Sequence, residues 1–195
     1  MNRPSVLPLV MAAAGVLLAA VALFGILQNR FLWNAPPAAD RSGNQPEPES
    51  STSSYSQAGK AAPEFELELL EGSRVSLSDF AGHPVLINYW ATWCPPCREE
   101  LPLIQERLDR YSPDLVVLTI NAGEDPETIR NFIRQKAFSF HVLLDPDWKA
   151  EALYGIYAYP TTVFIDREGL IQARYVGGMS AEILDDYLEL IGVNE

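Results

Sequence analysis

Val85-Leu86-Ile87-Asn88-Tyr89-Trp90-Ala91-Thr92-Trp93-Cys94-Pro95-Pro96-Cys97 joins a nearly unbroken apolar run to two cysteines three positions apart. The run from Val85 to Trp90, with Asn88 its one polar member, reads as a strand covered on both faces. Beyond the cysteines, Leu101, Ile104, Leu108 and Tyr111 fall on one stripe at helical spacing, with charged residues opposite. The segment from about Pro95 to Tyr111 is therefore a helix, and Pro102 inside it is expected to kink it. The cysteine pair stands where the strand ends and the helix begins.

That position gives the pair its chemistry. Cys94 falls at the helix amino terminus, where unpaired N–H groups and the helix dipole stabilise a thiolate. The thiolate is the nucleophile in disulfide exchange. Cys97, one turn further in, can attack the mixed disulfide once Cys94 has bonded to a substrate. Pro95 and Pro96 cost no helix hydrogen bond, because first-turn N–H groups have no partner in any case. They also stiffen the turn between the sulfurs. C-x-x-C beside a β-α-β pattern is a redox signature, and this context makes it specific. No other cysteine exists in the chain, so a structural disulfide framework is excluded.

Outward from this centre, strand and helix patterns alternate. Phe65, Leu67 and Leu69 alternate with glutamates, and Glu71-Gly72-Ser73 turns the chain into a hairpin partner at Val75 and Leu77. Ser78 and Asp79 suit the cap of a short helical turn. Leu115 to Ile120 reads as a second buried strand. Glu127 to Lys136 is a helix with Asp125 as cap and Pro126 in its first turn, and Trp148 to Tyr154 is a shorter one. Thr161 to Ile165 and Leu170 to Val176 are strands joined by a turn at Asp166 to Gly169, and Ser180 caps a last helix to about Ile191. A hairpin, then β-α-β-α, then β-β-α, makes an α/β sandwich with a mixed sheet.

The amino-terminal third is different. Val6 to Leu27 is almost entirely apolar, and 22 helical residues span roughly 33 Å, about one hydrocarbon core. Phe31 and Trp33 follow where an interfacial aromatic anchor would sit. The competing reading is a cleavable signal peptide, whose apolar core is shorter and ends at small residues. We take a retained anchor: residues 1–5 cytoplasmic, 6–27 transmembrane, 28–60 a flexible tether rich in Pro, Ser, Ala and Gly, and 61–195 the folded domain.

Charge excludes one large class of partner. The chain carries a formal −12, and from Ala61 onward 10 Lys and Arg stand against 23 Asp and Glu, a net of −13. Such a surface repels phosphate backbones, so no nucleic acid is expected. A metal site would need ligands beyond the two sulfurs, and His83 and His141 are not at paired spacing. No metal and no cofactor is expected; both histidines are expected at structural or surface positions, and Tyr89 and Trp90 in the core.

From Ala61 to its end the chain resembles the extracytoplasmic, membrane-anchored thioredoxins of the TlpA/ResA group, which includes cytochrome c maturation thioredoxins. The run from Phe80 to Pro102 and that from Tyr154 to Asp166, with Tyr159-Pro160-Thr161-Thr162 at its centre, carry the likeness. The resemblance implies a thioredoxin-like three-layer sandwich with an amino-terminal β-hairpin extension, lying outside the cytoplasm behind a single transmembrane helix. It implies that Pro160 is a cis-proline facing the dithiol, with the backbone of Tyr159 placed to pair with a substrate strand. Trp93, Pro95 and Pro96 then flank the exposed sulfur as contact surface. It also implies a membrane thiol transporter as electron donor and oxidised apocytochrome c or other disulfide proteins as acceptors.

Two positions depart from ordinary thioredoxins. Asn88 stands where they carry an aspartate near the second cysteine, and it cannot titrate. Members of the resembled group instead have an acid three residues after that cysteine, which Glu100 matches. Glu100 is thus a candidate proton acceptor for Cys97, against the alternative of a solvated helix glutamate beside Glu99. Ala158-Tyr159 stands where a glycine two before the proline is commoner in the group; Tyr159 either narrows substrate choice or packs.

The direction of electron flow leans towards reduction, since Pro95-Pro96 supplies no positive group to over-stabilise the thiolate. Two rivals are defined. A peroxiredoxin-type thiol peroxidase needs a threonine three before its nucleophile, and Ala91 stands there. A docking or copper-carrying module would use the fold without redox cycling.

Overall fold

The computed structural model describes residues 58–194. The expected membrane span at 6–27 lies outside the described residues, as does the tether up to residue 57; among the described residues no helix is long and apolar enough to cross a membrane. Backbone pairing begins just before residue 61. The Gly59 N–H donates to the Ile171 carbonyl at 2.7 Å, and Ile171 N–H to Lys60 at 2.9 Å.

The strand expected at the centre is there. β3 (Val85–Trp90) is buried at every position and pairs with β4 (Val116–Asn121) in parallel and β6 (Thr161–Ile165) antiparallel. Earlier in the chain, β1 (Glu66–Leu69) and β2 (Arg74–Ser76) form the leading hairpin. A 3₁₀ turn follows at Leu77–Phe80, and its cap is Ser76 rather than Ser78, with Asp79 accepting the Ser76 N–H at 2.8 Å. The remaining elements are α1 (Pro95–Tyr111), α2 (Pro126–Lys136), β5 (His141–Leu144), α3 (Lys149–Tyr154), β7 (Ile171–Val176) and α4 (Ala181–Leu190). The seven strands run β2-β1-β5-β4-β3-β6-β7 across the sheet.

β5 is the element that the sequence pattern does not declare. Four residues stopped by Asp145-Pro146 are too few to show a period. Yet β5 pairs in parallel with β4 and antiparallel with β1, so it welds the hairpin to the central sheet.

Because side chains alternate along a strand, β3 feeds two cores. Leu86 and Trp90 pack with Leu101 and Ile104 of α1, Ile129 of α2 and Leu184 of α4. Val85, Ile87 and Tyr89 pack on the other face with Ala150 and Tyr154 of α3. The result is a mixed sheet between two helical layers, the thioredoxin-like sandwich. Asn88, alternating with Leu86 and Trp90, faces α1.

α1 runs unbroken through Pro102. The proline is exposed, so the carbonyl it leaves without a helical donor is on the side facing water. Two charged residues of α1, Glu100 and Arg107, are not on the solvent face. Arg107 is buried, and its guanidinium grips Asp185 of α4 through Nε at 2.6 Å and a second nitrogen at 2.8 Å. This fork holds the Asp185 carboxyl below its ordinary range.

Candidate active site

Cys94 is the N-cap of α1, with extended backbone at φ −86° and ψ 109°. Pro95 and Pro96 fill the first turn, as their missing N–H groups allow, and both are exposed. The first free N–H of the helix, that of Cys97, donates to Cys94 Sγ at 3.3 Å. The helix terminus therefore solvates the sulfur on which negative charge would develop. The two cysteines form a disulfide with Cα atoms 5.3 Å apart. Cys94 is 3% exposed and Cys97 fully enclosed, so only Cys94 offers an outer edge. Trp93, immediately before it, is 65% exposed and flat against no core.

One turn beyond Cys97, Glu100 is 1% exposed, not the solvated residue that its neighbour Glu99 is. Asn88 Nδ2 donates to Glu100 Oε1 at 2.7 Å and to the Thr162 hydroxyl at 2.9 Å. The Met179 N–H donates to Glu100 Oε2 at 2.8 Å. Burial pushes the Glu100 carboxyl up to about 7, and hydrogen bonds from Met179, Asn88 and Thr162 only partly offset that rise. An acid that is half ionised near neutrality can take a proton and give it back.

Asn88 suits such a partner better than an aspartate would. Its Oδ1 is buried without a hydrogen-bond partner. With Nδ2 toward Glu100 the amide donates to a carboxylate; turned over, Oδ1 accepts from a carboxylic acid. The same side chain thus serves both protonation states, where a second carboxylate would oppose ionisation.

The facing loop is built as the Tyr159-Pro160 motif requires. The Tyr159–Pro160 peptide is cis, and a second cis bond, at Ser112–Pro113, lies at the far end of α1. The Thr161 hydroxyl donates to the Ala158 carbonyl at 2.7 Å, and Gly177 N–H donates to the Pro160 carbonyl at 2.9 Å. Tyr159 is half-buried, and its ring meets Trp93 edge-on, centroids 6.0 Å apart at 77°. Cys94, Cys97, Glu100, Trp93 and Tyr159 are thus brought into one neighbourhood.

Three parts of the site are absent from the sequence reading. Glu124 is one: its carboxylate accepts the Thr92 N–H at 2.7 Å, the Thr92 hydroxyl at 2.5 Å and Asn121 Nδ2 at 2.8 Å. It ties the loop that delivers Cys94 to the end of β4. The Gly177-Gly178-Met179 segment is another. A Cβ at Gly178 would lie 3.3 Å from Pro96 Cβ, so glycine allows this loop to close on the C-P-P-C turn and bring the Met179 N–H to Glu100. The third is Glu151, to which the Tyr159 hydroxyl donates at 2.5 Å. The glycine pair is a readable signal of close backbone approach; the two glutamates carry none in a chain so rich in acidic residues. His83 and His141 are exposed.

Comparison with known proteins gives a consistent picture. The profile of the AhpC/TSA family matches residues 58–174. The thioredoxin-like protein YneN of Bacillus subtilis is 36% identical over 137 residues, covering 69% of this chain and 80% of that one. The thiol-disulfide oxidoreductase ResA of Bacillus anthracis is 35% identical over 136 residues, covering 69% and 79%. Among solved structures, the exposed lipoprotein thioredoxin Etrx1 of Streptococcus pneumoniae is 33% identical, with a TM-score of 0.58 over 65% of this chain and 98% of that one. A thioredoxin-family thiol:disulfide interchange protein of Chlorobium tepidum is 26% identical, with a TM-score of 0.61 over 67% and 94%.

Proposed function

The chain belongs to the AhpC/TSA family and is a thiol–disulfide oxidoreductase, and from that premise we propose that it reduces protein disulfides outside the cytoplasm, held there by a single-pass anchor at 6–27. The observation that carries this reading is the Cys94–Cys97 disulfide at the start of α1, its outer sulfur taking the Cys97 N–H and a buried acid standing one turn on.

The reaction starts from the dithiol. The Cys94 thiolate attacks a substrate disulfide, forming a mixed disulfide and releasing one substrate thiolate. Cys97 then gives its proton to the Glu100 carboxylate and attacks the Cys94 sulfur. The second substrate sulfur leaves as a thiolate and is protonated. Two electrons pass from the cysteine pair to the substrate, and the pair ends as a disulfide. A dithiol donor must restore it, since an extracytoplasmic compartment is oxidising. A membrane thiol transporter fits that need, and disulfide proteins such as apocytochrome c fit the acceptor role.

Support for the direction comes from the C-P-P-C turn, which places no cation between the sulfurs and so does not favour the reduced form unduly. Support for the location comes from the apolar run at 6–27 and from a relative described as an exposed lipoprotein. A Cys97→Ala variant in the native membrane is expected to hold its substrate through Cys94, and mass spectrometry of the trapped complex identifies both substrate and compartment. Capture of cytoplasmic proteins alone, or a reduction potential above about −150 mV, overturns the proposal.

A further inference from the structure

Tyr159 lies between the two cores and packs against both. Two contacts fix its ring: the edge-on meeting with Trp93 and the hydroxyl bond to Glu151 Oε1. The backbone on either side of Tyr159 is anchored separately, the Ala158 carbonyl by the Thr161 hydroxyl and the Pro160 carbonyl by the Gly177 N–H. The packing sets how deep the ring sits, and the bond to Glu151 adds a directional contact at its tip. The two residues before Tyr159 give no help, since Tyr157 is 90% exposed and Ala158 is exposed as well.

Glu151 is held firmly enough to act as a fixed post. It stands in the first turn of α3 and is 8% exposed. Its N–H donates to Asp145 Oδ2 at 3.0 Å, and its carbonyl accepts the Ile156 N–H at 2.8 Å. Burial raises its carboxyl above the ordinary range; Asp145 adds to the rise and the Tyr159 hydroxyl opposes it. A buried acid costs stability, and an apolar pair would fill the same gap more cheaply. What the acid and phenol supply instead is direction, because a hydrogen bond has a preferred angle and apolar burial is non-directional.

We propose that Glu151 is a positioning residue for substrate selection: through the Tyr159 hydroxyl it holds that ring against Trp93, and the two rings wall one side of the slot in which a substrate strand presents its disulfide. The inference rests on the oxidoreductase reading and deepens it. The substrate class it defines is an extended polypeptide with a small residue next to the reacting cysteine. A bulky neighbour meets the wall; a free ring would let it pass.

The test uses the full-length, prereduced protein and three disulfides. One is hydroxyethyl disulfide, too small to touch the wall. The others are peptide disulfides that differ only in glycine or leucine before the cysteine. Wild type is expected to favour the glycine peptide by about tenfold. Glu151→Ala and Tyr159→Phe should each cut this preference to about threefold or less, a change in the ratio of the two peptide rates read with the hydroxyethyl disulfide rate of the same variant as its reference. The double variant should add nothing, since both changes break one bond, and Glu151→Gln, which keeps an acceptor, should retain most of the preference. Tyr159→Phe removes a single oxygen from a half-buried ring and keeps the test open should Glu151→Ala fold poorly. An unchanged peptide preference in Tyr159→Phe, or equal losses on all three disulfides, overturns the role of Glu151 alone. A wild-type protein inert towards all three overturns the oxidoreductase reading and this inference with it.

Discussion

The Asn88 amide donates to the Glu100 carboxylate at 2.7 Å, and neither side chain reaches solvent to any useful extent. This pair links the central strand to the redox helix and sets how the site responds to pH. The Glu100 carboxyl titrates near 7 in the folded chain and at its ordinary 4.5 when exposed. Between those values the folded state holds the proton more tightly, so stability is greatest below pH 4.5 and declines as pH rises towards 7. The full difference is about 3 kcal/mol from this group. Glu100→Gln cannot ionise and should abolish this group's share of the decline. Urea unfolding of the oxidised protein at pH 5 and pH 8 checks it: the wild type loses stability between them, and the variant loses less, keeping only the share of other raised acids such as Glu151. The same substitution should slow breakdown of the mixed disulfide by about tenfold or more and remove the wild type's rise in that rate through neutral pH.

Glu124 yields a different kind of prediction, because its carboxylate serves three donors at once. Glu124→Ala strands the Thr92 N–H, the Thr92 hydroxyl and the Asn121 amide, at a cost of about 2 kcal/mol given that the group is only partly buried. The Thr92–Trp93 segment that presents Cys94 then loses its tie to β4. Insulin reduction should fall several-fold in Glu124→Ala and less in Glu124→Gln, which keeps one acceptor oxygen. Activity and stability both at wild-type level in Glu124→Ala would remove the clamp from the account.

The contrast between Glu100 and Glu124 marks what can be read from a chain of letters. The central strand, the redox helix, its capping cysteine and the final helix all announce themselves, because a buried strand, a helical stripe and a cap are local patterns. β5 does not, since four residues carry no period and its place depends on two partners far away in sequence. Glu100 was legible as a candidate from its spacing to Cys97, yet its burial follows from Asn88 and Met179, twelve and 79 positions away. Arg107 shows the same limit: one turn from both Ile104 and Tyr111, it stands at the edge of the apolar stripe, and only the arrival of Asp185 on α4 makes its enclosure tolerable. Glu124 and Glu151 lie among many acidic residues with nothing to single them out. Their roles come from loops that the fold brings together at the carboxyl ends of the central strands.

The unequal exposure of the two sulfurs gives the last prediction. Cys94 has an outer edge and the Cys97 N–H directed at its sulfur, while Cys97 is closed off by the core. In the reduced protein, then, only Cys94 should be both ionised and reachable. Brief treatment with iodoacetamide at about pH 6.5, where free cysteine is almost wholly protonated, should modify Cys94 in native protein and spare Cys97. Peptide mapping reads the outcome directly, and Cys94→Ser should leave the native protein nearly unlabelled. After unfolding in urea both cysteines should react slowly and alike, because the helix end that solvates the Cys94 anion no longer exists. Preferential labelling of Cys97 in the native state would reverse the order of attack, and would move the proton-accepting role of Glu100 from the second step of the exchange to the first.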